Sequence, residues 1–97
     1  MKLTHTELDV EESLYIHVVT YCVMRRRLAM NMSQDELAAR AGLSRGAVQH
    51  LEHGRHGHRM GTEKRICAAL CISVLELEAE VQRVSLEWKA EGRTLAP

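Results

Sequence analysis

The chain has 97 residues, 45% of them hydrophobic, and a formal net charge of zero at pH 7. A chain of this length can bury one hydrophobic core but not two. No apolar run approaches the roughly eighteen residues that a membrane-spanning helix needs, and no uninterrupted apolar stretch follows Lys2 as in a secretory signal. Three cysteines without a regular spacing suit a reducing compartment, so we expect a cytoplasmic protein.

The N-terminal third predicts a leader and one long helix. Residues 1–9 are expected to be a flexible leader, and a single domain is expected at 10–91. From about Val10 to Met30 the apolar residues lie almost all round the helix, which indicates burial on two sides. One side would form the core, and either the C-terminal helix or a second subunit would cover the other.

Residues 34–53 contain two short helical patterns joined by a turn. Ser33 and Glu36 predict a capping box at the start of the first helix, and Ser44 caps the second. Gly42 lies where the first helix must end in a left-handed conformation, which glycine adopts at almost no cost. The apolar residues that let the two helices pack together are Leu37, Ala38, Ala41, Val48 and Leu51. This arrangement predicts a helix-turn-helix.

The C-terminal half predicts a glycine-rich loop at 54–59, a fourth helix from about Thr62 to Leu70, a fifth helix at about 74–90 and a loose tail at 92–97. On the fifth helix apolar residues recur at alternating intervals of three and four, which indicates a seam against one partner helix. The seam consists of Val74, Leu77, Val81, Val84 and Trp88. Its partner would be either the long N-terminal helix or the same helices of a second subunit.

The segment 34–53 resembles the helix-turn-helix of the lambda-repressor-like, Cro/XRE family of DNA-binding proteins, and the resemblance extends over roughly residues 22–78. The matching features are Ser33-Gln34, Ala38, Gly42, Leu43, Val48, Leu51 and the Glu52-x-Gly54 exit. The resemblance implies an all-α, compact five-helix fold with extended N- and C-terminal helices. It also implies a regulator of transcription, expected to be a repressor, that binds a palindromic operator in double-stranded DNA as a homodimer.

By this resemblance the second helix of the motif is the recognition helix. The residues expected to read bases are Ser44, Arg45, Gly46, Gln49, His50 and His53. The residues expected to contact DNA phosphates are Gln34, Arg27, Arg55, His56 and Arg59. Arg45 is the best candidate for a bidentate contact to guanine, and Gln49 for one to adenine. The dimer interface is expected at Leu77, Val81, Val84 and Trp88, away from the DNA.

The distribution of charge agrees with a DNA-facing middle. Residues 25–65 contain nine Arg or Lys against four acids, whereas the rest of the chain contains four against nine. A basic middle between acidic ends is typical of a DNA-binding module, although for the acidic ends ordinary solvated helix faces are the better explanation.

A metal sensor is one alternative to a DNA-binding regulator. His50, His53, His56 and His58, with Cys67 and Cys71, resemble a metal-sensor cluster, but their spacing is not that of a closed zinc site, so we expect no metal and no cofactor.

No catalytic arrangement of side chains supports an enzyme. The alternative to a transcriptional regulator is an antitoxin-like or accessory protein that binds a partner protein and autoregulates its own operon.

Overall fold

The protein is an all-α bundle in the computed structural model, which describes the backbone of residues 5–52 and 60–92 and the side chains of residues 14–52 and 61–92. Within these ranges the chain forms five helices and no strand, which confirms the predicted fold class. The helices are α1 (His5–Ala29), α2 (Gln34–Ala41), α3 (Arg45–Glu52), α4 (Met60–Ala69) and α5 (Val74–Ala90). None of the described helices has both the length and the apolar character that a bilayer crossing requires.

The first helix starts earlier than predicted. α1 begins at His5 rather than at Val10. The segment between these two residues contains no glycine or proline, and Glu7 lies in the first turn, where the helix dipole favours negative charge. Residues 5–9, expected in a flexible leader, therefore continue the helix.

Among the described residues, four helices are followed by a residue in the left-handed conformation: Asn31 after α1 (φ 55), Gly42 after α2 (φ 67), Cys71 after α4 (φ 58) and Gly92 after α5 (φ 72). After α1, α2 and α4 the next N–H donates back to a carbonyl five residues earlier. These bonds are Met32 to Arg27 at 3.0 Å, Leu43 to Ala38 at 2.9 Å and Ile72 to Cys67 at 3.0 Å. The pattern is the Schellman motif, which satisfies carbonyls at the helix end and reverses the chain sharply.

α1 packs mainly against two other helices. α5 packs along it on one side and α3 contacts it on another, while α2 packs against α3 and α4. The Thr20 hydroxyl donates to the Leu51 carbonyl at 2.7 Å, which ties α1 to the last turn of α3. The most deeply buried side chains of α1 are Val18, Val19, Cys22 and Val23. The position of α3 therefore depends directly on α1.

The apolar seam of α5 lies inside the monomer. Leu77, Val81 and Val84 expose only 0%, 1% and 2% of their surface. Trp88 is half-buried and packs on Tyr21 of α1, with 5.3 Å between the ring centroids. The prediction of the dimer interface is wrong for Leu77, Val81 and Val84, because side chains buried in the monomer core have no surface left for a second subunit. Trp88 keeps part of its surface exposed, so its place in a dimer interface stays a prediction. The periodicity identified a buried face but not the helix that covers it.

Candidate nucleic-acid interface

The two helices of the motif are capped as the sequence predicts. The Ser33 hydroxyl accepts the Glu36 N–H at 3.0 Å, and the Glu36 carboxylate accepts the Ser33 N–H at 3.2 Å, so the capping box is complete. The Ser44 hydroxyl accepts the Ala47 N–H at 3.1 Å at the start of α3. Because these bonds are local, they fix where α2 and α3 begin without help from the rest of the fold.

The turn between the helices requires glycine because of its backbone conformation. Gly42 has a positive φ of 67°, which a residue with a side chain adopts at a cost. A Cβ built on Gly42 would lie 2.9 Å from Nη1 of Arg65, but this atom is the end of a flexible side chain that can move aside. The prediction of Gly42 as the turn residue is confirmed.

α3 has one buried and one exposed side. Val48 and Leu51 face the core and are almost fully buried. Arg45, Gly46 and His50 are exposed on the other side, Ser44 is exposed at its N-cap, and Gln49 is half-buried. The structure therefore brings five of the six predicted base-reading residues to one accessible region. The sixth, His53, lies outside the described residues.

Among the described residues, Arg45 makes one weak ionic contact. Its Nε lies 3.5 Å from a carboxylate oxygen of Asp35 on α2, and both side chains are more than half exposed. An ion pair this open to water contributes little to stability. The guanidinium group is therefore available to an outside partner at small cost.

A buried ionic network connects α1, α2 and α3. Arg27 donates from Nε and Nη2 to the two oxygens of Glu52 at 2.7 and 3.0 Å, and from Nη1 to the Met32 carbonyl at 2.7 Å. The Gln34 side-chain amide donates to the same Glu52 carboxylate at 3.2 Å. Only 11% of the Arg27 side chain and 4% of the Glu52 side chain are exposed.

This network corrects the role predicted for Arg27. All three of its guanidinium nitrogens already bond within the protein, so Arg27 is not available to DNA phosphate. Gln34 keeps a backbone N–H at the open N-terminal end of α2, where such groups have no acceptor within the helix. Glu52 was seen in the sequence only as part of the motif's exit, and its role as the shared acceptor was missed.

Arg25 and Arg26 also pair with an acid of the protein. They donate to the two oxygens of Glu80 on α5 at 2.6 and 3.0 Å, and Glu80 is only 8% exposed. Burial alone would raise the pKa of Glu80, but the hydrogen bonds from the two arginines outweigh it and hold the pKa below its ordinary value. All three consecutive arginines thus pair with acids of the protein, and the two that keep N–H groups at the surface, Arg25 and Arg26, pair on the α5 side of α1 and not beside α3.

The structure does not describe the remaining residues predicted to contact phosphate, which are Arg55, His56 and Arg59. His58 also lies outside the described residues.

Among the residues that the structure does describe, no three His, Cys, Asp or Glu side chains are grouped as metal ligands. Cys67 is buried in the core, and burial raises the pKa of its thiol to about 11. A thiol with this pKa is a small hydrophobic side chain at neutral pH, not a ready metal ligand.

Comparison with known proteins identifies the fold. A helix-turn-helix family model matches residues 23–77, which is more than half of the chain. The wild-type restriction-modification controller protein C.Esp1396I has a TM-score of 0.71 at 19% identity, covering 75% of this chain and 95% of that chain. The clp gene regulator ClgR from Corynebacterium glutamicum has a TM-score of 0.75 at 22% identity, covering 80% of this chain and 83% of that chain. A comparison with curated proteins gives no match.

The buried network predicts the behaviour of Arg27→Gln. Removing the guanidinium leaves Glu52 buried without its charge partner, which should lower the free energy of unfolding by about 3 kcal/mol. The salt dependence of DNA binding should not change under conditions where the variant is folded, because no phosphate contact is lost. Chemical denaturation and duplex binding at several salt concentrations measure the two effects. If Arg27→Gln instead kept the stability of the wild type and its DNA binding became less dependent on salt, Arg27 would be a phosphate contact as first predicted.

Proposed function

Because this chain belongs to the Cro/C1-type helix-turn-helix family and is a DNA-binding regulator of transcription, we propose that it acts as a repressor, bound as a homodimer to a palindromic operator. In this proposal α3 lies in the major groove. The main support for this placement is that α3 has a buried apolar side and an exposed polar side. A helix with its side chains is about 10–12 Å across, and the major groove is about 12 Å wide.

Gly46 supports the orientation of α3. A Cβ at this position would meet only the Ser44 hydroxyl, at 3.8 Å, which is an ordinary contact. The protein itself therefore does not need glycine here, and glycine inside a helix costs about 1 kcal/mol relative to alanine. We attribute the glycine to a close approach of DNA to the first turn of α3, beside Arg45.

The second subunit needs a surface other than the buried seam. A stripe of four exposed residues runs along the outer side of α5 at intervals of four, three and four: Leu75, Ala79, Gln82 and Leu86. Its two leucines are 81% and 69% exposed, and they are about 16 Å apart along the helix axis. Two copies of α5 packed antiparallel about a two-fold axis would place Leu75 of each copy opposite Leu86 of the other, so the stripe is self-complementary. We propose this outer stripe as the dimer interface.

A dimer also explains how so short a recognition helix selects one site. α3 has eight residues and reads only a few base pairs. In this class two copies read half-sites about one helical turn, or roughly 34 Å, apart. Repression then requires only that the dimer occupies a promoter.

The base-reading role of α3 predicts that Arg45→Ala loses sequence preference. Binding to a site selected by the wild-type protein from random duplexes should weaken by about 1–3 kcal/mol, while binding to unrelated duplexes changes little. Stability should be unaffected, because the Asp35 pair is exposed. Arg40→Ala, which removes an exposed arginine from the last turn of α2, is the matched control and should keep the preference. An unaltered preference in Arg45→Ala would place base reading elsewhere.

The glycine argument predicts opposite effects of Gly46→Ala on folding and on binding. The substitution should raise the free energy of unfolding by up to about 1 kcal/mol, because alanine is the better helix former. It should also weaken binding to the selected site, because a methyl group would then stand between α3 and the DNA. Gly61→Ala in α4, where a Cβ would meet no atom within 4 Å, is the control that should leave binding unchanged. Equal DNA affinities for both variants would contradict the close approach.

The proposed dimer predicts that Leu86→Gln dissociates the protein without unfolding it. Sedimentation at micromolar concentration should show a dimer for the wild-type chain and a monomer for the variant, with the same helical content by circular dichroism. Leu28→Gln removes another exposed leucine, 56% exposed at the end of α1, and should remain dimeric. Dissociation by Leu28→Gln alone would move the interface to α1. A wild-type chain that stays monomeric and copurifies with a different protein would favour the accessory-protein function instead.

A further inference from the structure

An open cavity of about 380 Å³ lies between the C-terminal end of α1 and the middle of α5. Its lining consists of Arg25, Arg26, Ala29, Glu80 and Arg83. Three of the five lining side chains are therefore arginines and one is an acid. The cavity is wide open to solvent, and its volume is large enough for a phosphate group.

The charges in the cavity do not balance. Glu80 is the only acid in the lining, and it is shared by Arg25 and Arg26. Arg83 makes no ion pair with any residue in the described ranges. The lining therefore carries three positive charges against one negative charge. This excess of two favours a ligand with two negative charges.

The cavity also has unused hydrogen-bond donors on side chains that are held in place. Only Nη2 of Arg25 and Nε of Arg26 bond to Glu80, whereas each guanidinium carries five N–H donors. Arg25 is fixed from a second direction, with its guanidinium carbon 5.2 Å from the centre of the Tyr21 ring. Tyr21 is in turn packed on Trp88. Arginines held in this way lose little freedom when they bind a ligand.

We propose that this cavity binds the phosphate group of a small molecule. A phosphate monoester carries close to two negative charges at neutral pH, and its oxygens accept the paired N–H groups of guanidinium.

DNA is the less suitable source of this phosphate because of where the cavity opens. Arg25 and Arg26 bond to α5, whereas the next residue, Arg27, bonds to the end of α3 on another side of α1. The site is therefore separate from the α3 surface.

The proposal is tested by titrating the full-length protein with inorganic phosphate and with pyrophosphate at constant ionic strength. Arginine side-chain N–H signals in ¹H–¹⁵N spectra report binding, and we expect saturable shifts of the signals of Arg25, Arg26 and Arg83. Arg83→Gln should weaken the affinity at least tenfold. Arg40→Gln, which removes an exposed arginine from α2, should keep it within twofold. Thermal melting and sedimentation should show that both variants keep the fold and oligomeric state of the wild type.

Three results would overturn the proposal. Shifts that rise linearly without saturation, or equal losses in Arg83→Gln and Arg40→Gln, would show only general attraction of anions to a basic surface. A lower affinity of Arg83→Gln for duplex DNA, with a shallower salt dependence, would show that the cavity holds a phosphate of the DNA backbone. Unchanged duplex binding together with lost phosphate binding is the result that we expect.

Discussion

The DNA-binding half of the molecule depends on one buried carboxylate. Glu52, at the end of α3, accepts hydrogen bonds from Arg27 of α1 and Gln34 of α2. A buried carboxylate that loses its charged partner costs several kcal/mol, so the three helix ends are held together in the one arrangement that satisfies it. The apolar contacts of Val48 and Leu51 make α3 stable, and the network at Glu52 sets its position relative to the other two helices.

Three consecutive arginines at the end of α1 serve both sides of the bundle. Successive residues of a helix are rotated by about 100°, so Arg25 and Arg26 reach Glu80 on α5 while Arg27 reaches Glu52 on α3. The basic excess of residues 25–65 therefore overstates the charge available to DNA, because three of its nine cations pair with Glu52 or Glu80. The sequence alone does not show which cations are paired in this way, and the fold does.

The sequence predicted the features that depend on neighbouring residues. The capping box at Ser33 and the left-handed Gly42 could be found because a few adjacent residues decide them. The partner of the α5 seam could not be found, because apolar periodicity defines a face and not what covers it. The acid that binds Arg27 could not be found either, since Glu52 is twenty-five residues away and only the packing of α1 on α3 brings the two together. Left-handed Asn31 and Cys71 were missed because neither residue type requires that conformation.

On α3, the residues that hold the fold differ from the residues that face outward. Val48, Leu51 and Glu52 are fixed by the core and by the ionic network, whereas Arg45 and Gly46 support little of the structure. Duplicated genes for such a protein can therefore diverge in target site by a few outward substitutions while every intermediate still folds. Selection on DNA preference and selection on stability then act on separate positions of the same eight-residue helix, which is how one scaffold can supply many regulators to a genome.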